Sequence, residues 1–428
     1  MTETVVRNAV CLACGCVCDD IDVHTSGNRV ARAERACELG AAWFASHDSH
    51  VAQPAALIDG APASLEDALK VAAKHLRDAH FPLVFGLGQA STEAQRAAVA
   101  LAEAIGGAIE GHTALTHGPT RIAAQLVGEV GASLGEVRNR ADVLLFWGTN
   151  PAESHPRHFE RYSAHATGKF VPNGRAGRTV LAVDVRETPT TAAADHTFHI
   201  RPNSDFEALT VLRALLRGTP VRASAVAETG LSVPRLRDLL EHLTRAKYAA
   251  VFLGTGLTGT RGKHMNAAAV FQLVADLNAV TKCVALPMRD HGNEMGTDQV
   301  LSWTGGHPLA LDLSKGTPRS FPGEFSAVDL LRRGDVDAAL IVGDAPWAPL
   351  PRPAVERLKR IPTVVIDSRV GALSRAAKVH LTCAVAGISS GGTAYRMDRV
   401  PLALRPAVTS PHPPVEDLLE RIHTRAVG

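Results

Sequence analysis

The residues best able to do chemistry stand at the start of the chain. Cys11, Cys14 and Cys18 are followed, after eighteen intervening residues, by Cys37, so four thiolates are available to one site. A local loop can wrap the first three onto one face of an iron-sulfur cube or around a zinc ion, and the remote fourth closes the coordination. A zinc knuckle usually brings two paired Cys-x2-Cys hooks, and only Cys11 and Cys14 make such a pair here. Three hooks with one distant ligand therefore point to a 4Fe-4S cluster, with zinc or no metal as the alternatives. Cys16 is an extra thiol that could replace a neighbour. Cys283 and Cys383 lie far away, and the seven cysteines make a poor disulfide framework for a long chain.

The elements that must position such a site read as an alternation of buried strands and helices. Short apolar runs at 82–88, 143–147, 179–185, 249–253, 283–286, 338–342 and 363–366 predict strands, and Ala- and Leu-rich periodic stretches lie between most of them. Ser91 predicts a helix cap, with the helix running through Ala104 and Glu93 facing its positive end; Gly106 and Gly107 end it. A further helix is predicted over 265–277, while 308–325 and 409–414 read as loops, the latter before a short C-terminal helix. The pattern predicts doubly wound, mostly parallel sheets.

Laying 141–200 over 336–383 exposes an internal repeat of strand, proline-bearing loop, helix and strand. Its matching ends are Asp184-Val185-Arg186 with Ala193-Ala194, and Asp367-Ser368-Arg369 with Ala376-Ala377, at equal spacing. Two such strand ends predict a shared phosphate- or nucleotide-facing edge, because the carboxyl ends of parallel strands form the crevice of these sheets. The expected divisions are a cysteine-cluster domain over 1–60, an α/β segment over 61–140, a Rossmann-like domain over 141–245, an α/β segment over 246–330 that pairs with 61–140, and a second Rossmann-like segment with a C-terminal tail over 331–428.

Composition bounds the function classes. A chain of 428 residues suits several lobes rather than one core. Formal net charge is +2, aromatics are 4%, and no basic cluster interleaves with aromatics, which argues against a nucleic-acid partner. The first ten residues lack the features of a secretory signal, and no apolar run reaches the ~18 residues of a membrane helix, so a cytoplasmic protein is expected.

Three other motifs carry little. Gly254-Thr-Gly256-Leu-Thr-Gly259 has the letters of a dinucleotide fingerprint, but the acidic residue expected about twenty positions on is missing from the end of the next strand. Gly387-Ile-Ser389-Ser-Gly391 has the letters of a nucleophile elbow without the helix that must follow. His155, His158 and His165 share a helical face, but Pro151 and Pro156 argue for a loop, so solvated or capping histidines are expected there.

The segment Cys11-Leu-Ala-Cys14-Gly-Cys16-Val-Cys18-Asp19-Asp20-Ile21, with Ala36-Cys37-Glu38-Leu39-Gly40 downstream, resembles the B subunit of formylmethanofuran dehydrogenase. It equally resembles the homologous component of the bacterial formyltransferase/hydrolase complex. Thr116-His117-Gly118-Pro119-Thr120, Gly148-Thr149-Asn150-Pro151, Asp184-Val-Arg186-Glu-Thr188, Met288-Arg289-Asp290-His291-Gly292-Asn293 and the Ser-Ser-Gly-Gly-Thr-Ala-Tyr run from Ser389 to Tyr395 extend the likeness along nearly the whole chain. The resemblance implies a molybdopterin-oxidoreductase-like α/β fold of several lobes, here without the C-terminal barrel of the full-length relatives.

In the dehydrogenases the residue before His-Gly-Pro is a cysteine or selenocysteine that binds molybdenum or tungsten; here it is Thr116. A hydroxyl is a poor substitute for a soft thiolate, so the resemblance implies that molybdopterin or tungstopterin is absent, although some relatives use serine or no protein ligand. His117 and Arg289 match positions flanking the metal and, with Thr116, are the relics of that site. Asn150, Asp184, Arg186 and Thr188 correspond to the edge that holds the pterin's dinucleotide tail, or else are caps and turn residues. The expected role is a non-redox structural and channelling subunit of a formyltransferase/hydrolase complex. Its setting would be methylofuran- and tetrahydromethanopterin-linked oxidation of formaldehyde to formate. Amidohydrolase-like, formyltransferase and further homologous subunits are the implied partners. The alternatives are a catalytic tungsten- or molybdenum-pterin subunit, and a stand-alone nucleotide-binding protein using the Asp184 and Asp367 edges.

Overall fold

The computed structural model describes residues 3–343 and 350–428. Two compact units emerge: Met1–Leu115 with His291–Gly428, and Thr116–Asp290. The chain thus enters the first unit, leaves it for the second, and returns.

The second unit is built on five parallel strands in the order His196–His199, Thr179–Asp184, Val143–Trp147, Ala249–Leu253, Cys283–Pro287. Its three central strands, apolar on both faces and mostly buried, are flanked by helices, as a parallel sheet requires. Numbered along the chain the order is 3-2-1-4-5, with the reversal between Val143–Trp147 and Ala249–Leu253. That reversal opens a crevice at the strands' carboxyl ends. The helix His264–Leu277 packs against Asp205–Leu216 and Gly118–Val127. Ser232 caps Val233–Arg245 by accepting the Arg235 amide.

The first unit carries a nine-stranded sheet. Its parallel centre runs Ala108–Gly111, Pro82–Gly86, Ala338–Val342, Thr363–Asp367, Val379–Thr382, which in chain order is 2-1-3-4-5. Antiparallel strands finish both edges: Leu311–Asp312 and Arg319–Ser320 on one side, Ala56–Ile58 and Ala61–Pro62 on the other. The helices Leu65–Arg77, Thr92–Ala104 and Val415–Val427 share one apolar core with this sheet. Ser91 caps the second of them, accepting the Ala94 amide at 3.0 Å. A three-stranded antiparallel sheet, Glu3–Ala9, Ile21–Ser26 and Arg29–Glu34, supports the cysteine loop.

The expected strands and the two helices at 91–104 and 265–277 are all present, but their grouping needs correction. The segment 246–330 does not pair with 61–140 as a block. Its strands Ala249–Leu253 and Cys283–Pro287 join Val143–Trp147, whereas Pro82–Gly86 of 61–140 pairs with Ala338–Val342. In the sheet only Leu311–Asp312 of that segment pairs with Ala108–Gly111, while its helix Glu294–Gly305 packs against Thr92–Ala104. Strand neighbours are chosen by long-range packing that local periodicity does not encode. The stretch 308–325 also holds two short strands, not loop alone. Among the described residues no sheet closes into a barrel. The two repeat halves share one succession, strand, strand, short helix, parallel strand, although the proline-bearing loop at 344–349 of the second half lies outside the described residues. Among the described residues no helix is long and apolar enough to cross a membrane.

Candidate functional site

Between the first two strands of the N-terminal sheet the chain folds into a tight loop. The Cys11 amide donates to the Cys18 carbonyl at 2.9 Å and the Val17 amide to that of Cys14 at 3.1 Å, with Val17 in the left-handed region. Cys11, Cys14, Cys16 and Cys18 are buried, and Cys37 is half-buried just ahead of the helix Glu38–Ala45. Burial pushes the Cys11 thiol well above its ordinary range, and nearby Cys14, Cys18 and Cys37 push it further. The four thiols expected as one ligand set thus lie close enough to feel one another's charge. Gly40 keeps space over them: a Cβ there would stand 3.1 Å from Cys11 Sγ and 3.9 Å from Cys37 Sγ. Gly292 packs closely on the same loop, where a Cβ would meet the Leu12 backbone at 2.6 Å. A soft-donor set gathered under a glycine, with no three of its sulfurs within 4.8 Å of one another, suits the wider spacing of an iron-sulfur cube held by Cys11, Cys14, Cys18 and Cys37 better than the tight shell of a zinc ion.

In the second unit His117, Arg121, His155 and Arg289 form a buried basic pocket. His117 opens the helix Gly118–Val127, and its carbonyl accepts the Thr120 amide and hydroxyl at 3.0 and 2.7 Å. Neither ring nitrogen of His117 makes a hydrogen bond. Burial first, then Arg289, Arg121 and His155, hold its pKa well below the usual histidine value, while the Met288 backbone pulls the other way. The His155 Nε2–H donates to the Arg289 carbonyl at 2.7 Å, so its Nδ1 accepts from Ser154 Oγ at 2.8 Å. Arg121 is paired with Glu129 at 2.9 Å. Thr116, part-buried beside His117, accepts the Thr258 hydroxyl on its carbonyl. The single cysteine of this unit, Cys283, begins the strand whose far end leads to Arg289, some 13 Å away at ~3.3 Å per residue. Its thiol is buried in the core and pushed up to about 12. No thiolate of this unit reaches the place of Thr116, so the residues here offer no soft sulfur ligand to a molybdenum or tungsten.

The neighbouring crevice, about 320 Å³, is lined by Asn150, Asp184, Arg186 and Thr188 together with Gly148, Gly254 and Gly256. Three of the first four are already engaged, Asp184 and Thr188 in local turns and Asn150 across to Thr190. Asn150 Oδ1 accepts from the Thr190 amide and hydroxyl, Asp184 Oδ1 from the amides of Val185 and Arg186, and Thr188 forms a capping box with Thr191. Arg186 is exposed. The glycines of the fingerprint-like run serve loop packing: a Cβ on Gly256 would stand 2.6 Å from the Gly148 carbonyl, and the Gly256 amide already donates to that carbonyl. An amide so engaged is not offered to a phosphate.

The equivalent crevice of the first unit is larger, about 980 Å³, with Gln89, Val342, Asp367, Ser368, Arg369, Cys383 and Trp43 in its lining. Asp367 Oδ1 accepts the Arg369 amide, as Asp184 does that of Arg186. The matching Asp-x-Arg triplets are therefore equivalent turn closers, each at the carboxyl end of the fourth or second strand of its sheet.

Some site residues were hidden from sequence reasoning. His155 and His158 are buried, not solvated; His158 packs edge-on against Phe252 and Phe146. Only His165 of that trio is exposed. His112, His291 and Glu294 draw together in the first unit, and no local spacing announces it. After the serine-rich run a strand, Gly392–Tyr395, stands where a nucleophile elbow needs a helix.

The fold defines the class first. The chain aligns with the crystal structure of the formyltransferase/hydrolase complex FhcABCD from Methylorubrum extorquens with methylofuran. The TM-score is 0.71 at 24% identity, over 87% of this chain and 99% of that one. It also aligns with acetylene hydratase from Pelobacter acetylenicus, at TM-score 0.69 and 11% identity over 97% of this chain and 69% of that one. The fold is molybdopterin-oxidoreductase-like. No family model matches the chain. In sequence it is 39% identical to the B subunit of tungsten-containing formylmethanofuran dehydrogenase 2 from Methanocaldococcus jannaschii, over 95% of this chain and 94% of that protein. It is 36% identical to the protein of the same name in Methanococcus maripaludis over 96% of both. The B subunit of the Fhc formyltransferase/hydrolase complex of Methylorubrum extorquens is 26% identical over 87% of this chain and 98% of that protein. The chain belongs to the family of formylmethanofuran dehydrogenase B subunits.

Proposed function

We propose that this chain is the molybdopterin-fold subunit of a formyl-transferring and formyl-hydrolysing complex of one-carbon metabolism, and that it serves there as framework and channel wall without tungsten or molybdenum of its own. Residue 116 carries the reading. A threonine stands where the buried His117 and Arg289 would flank a soft metal, and Cys283 is at the wrong end of its strand to replace a thiolate. The B subunits it is similar to supply the reaction class: one is named for a formyltransferase/hydrolase complex, others for a formylmethanofuran dehydrogenase. By this reading its partners are amidohydrolase-like, formyltransferase and further homologous subunits, its carriers are methylofuran and a tetrahydromethanopterin, and its compartment is the cytoplasm.

The loop of Cys11, Cys14, Cys18 and Cys37 holds a 4Fe-4S cluster on this proposal, with zinc the alternative. A cluster would supply one-electron chemistry when bound; with no electron source beside residue 116, its effect here is to staple the N-terminal sheet. What this chain's own groups do at the basic pocket is electrostatic. Arg289, beside the neutral His117, gives a dry, positive spot suited to a small carboxylate such as formate.

One observation favours the second reading, a catalytic tungsten-pterin protein: identity is higher to the tungsten-containing dehydrogenases than to the Fhc component, 39% against 26%. Elemental analysis of the complex purified anaerobically from its native host, with a dye-linked assay of formylfuran oxidation, separates the two. Iron without molybdenum or tungsten, and no dye reduction, is the expected result. Stoichiometric tungsten or molybdenum with dye reduction would overturn the proposal.

A further inference from the structure

His112, His291 and Glu294 belong to neither site described above, yet each offers a ligand atom within 4.8 Å of the other two. The two imidazole rings stand with centroids 4.9 Å apart, inclined by 51°. His112 Nε2 lies 3.8 Å from Glu294 Oε1, too far for a hydrogen bond. Two donors on one tetrahedral zinc, with bonds near 2.05 Å, are roughly 3.4 Å apart, so a small rotation of either side chain closes the gap. His112 and Glu294 are buried, with exposures of 2% and 0%, and His291 is half-buried.

The backbone around the trio is held firmly. His112 follows the strand Ala108–Gly111, and its amide donates to the Gly86 carbonyl at 2.8 Å. Glu294 opens the helix Glu294–Gly305, whose start is tied down by Gln95: its Nε2 donates to the carbonyls of Asn293 and Leu87 and to Thr297 Oγ1. Asn293 adds a bond from its amide to the Gly88 carbonyl at 2.9 Å and one from Nδ2 to that of Ala90 at 2.7 Å. These bonds fix the backbone from which His112 and Glu294 extend, leaving only side-chain rotation to complete the shell.

We propose that His112, His291 and Glu294 form a binding site for a divalent first-row transition ion, zinc fitting best, with a fourth position left to water. Two imidazoles and one carboxylate are the donor set of open zinc sites and of mononuclear iron(II) sites, whereas magnesium and calcium prefer oxygen alone. The site differs from the thiols of the cysteine loop in donor type.

That difference supplies the test. The full chain is loaded with Zn2+ or Co2+ in its native form and as His112→Gln, Glu294→Gln and the Cys11→Ser/Cys14→Ser double variant. Expected for the cysteine variant is one zinc per chain in an N/O shell at about 2.0–2.1 Å by X-ray absorption. With cobalt it should show visible d–d bands and no intense sulfur charge transfer. The histidine and glutamate variants should lose one ion per chain while keeping any sulfur-bound one. Should either variant fail to fold, by circular dichroism, the X-ray absorption of the cysteine variant decides alone. No bound ion there, or metal content unchanged by both His112→Gln and Glu294→Gln, overturns the site.

Discussion

Gly40→Ala tests whether the thiols converge as the structure has them. Gly40 lies in the first turn of the helix Glu38–Ala45, where alanine should favour the helix by about 0.5–1 kcal/mol. Against that gain, the new Cβ would stand 3.1 Å from Cys11 Sγ and 3.4 Å from Ala36 Cβ. A free thiol can turn aside by a few tenths of an ångström, so the metal-free variant should lie within about 1 kcal/mol of the parent. A sulfur pinned by metal bonds cannot turn. Overpacking then costs the loaded form roughly 1–3 kcal/mol more than the empty one, a loss of about 5- to 150-fold in metal affinity. Chelator competition on the loaded proteins gives the affinity ratio, and urea unfolding of the metal-free proteins gives the stability difference. Equal resistance to chelator in parent and variant would refute the reasoning, because the Cys11 sulfur could not then be a fixed ligand beneath residue 40.

Three further outcomes follow from polar groups held within the fold. Burial holds His158 down to about 3, against about 6.5 in the unfolded chain, so the unfolded state takes up its proton first. Its contribution is complete above pH ~6.5 and declines between there and pH ~3 by about 1.4 kcal/mol per unit; His158→Gln should flatten the pH dependence of unfolding in that window. Arg178, held down to about 10 by burial, donates to the carbonyls of Val137, Arg138, Ala141 and Ala166, most of them at the end of the helix Leu134–Arg140. Arg178→Met should cost roughly 3–5 kcal/mol in urea unfolding and Arg178→Lys somewhat less, since an ammonium cannot fork to several acceptors. Asp184→Ala and Asp367→Ala should each cost about 0.5–1.5 kcal/mol, as loss of a turn closer implies, and Asp→Asn at either position should recover most of it. A much larger loss at one position alone would mean that the two triplets are not equivalent.

Much of this protein was readable along the chain. Runs such as Val143–Trp147 and Ala338–Val342 are apolar throughout because both faces of a central parallel strand are covered, and that requirement leaves its mark on each local segment. Ser91 signalled its helix because a cap acts within four residues. The cysteine spacing announced a ligand set because three of its members share one loop, and the repeated Asp-x-Arg triplets marked two turns that close in the same way.

Tertiary structure alone decided which strands became neighbours: that Ala249–Leu253 inserts beside Val143–Trp147, and that the chain returns after Asp290 to complete the first unit. It alone buried His155 and His158, residues whose surroundings in sequence read as solvated loop. Only the return of the chain brings His291 and Glu294 to His112, nearly two hundred residues upstream. The physical reason is common to all three. Periodicity and capping are short-range terms that each segment satisfies for itself, whereas sheet order, burial of polar groups and convergence of distant ligands depend on packing that exists only once the whole unit has closed.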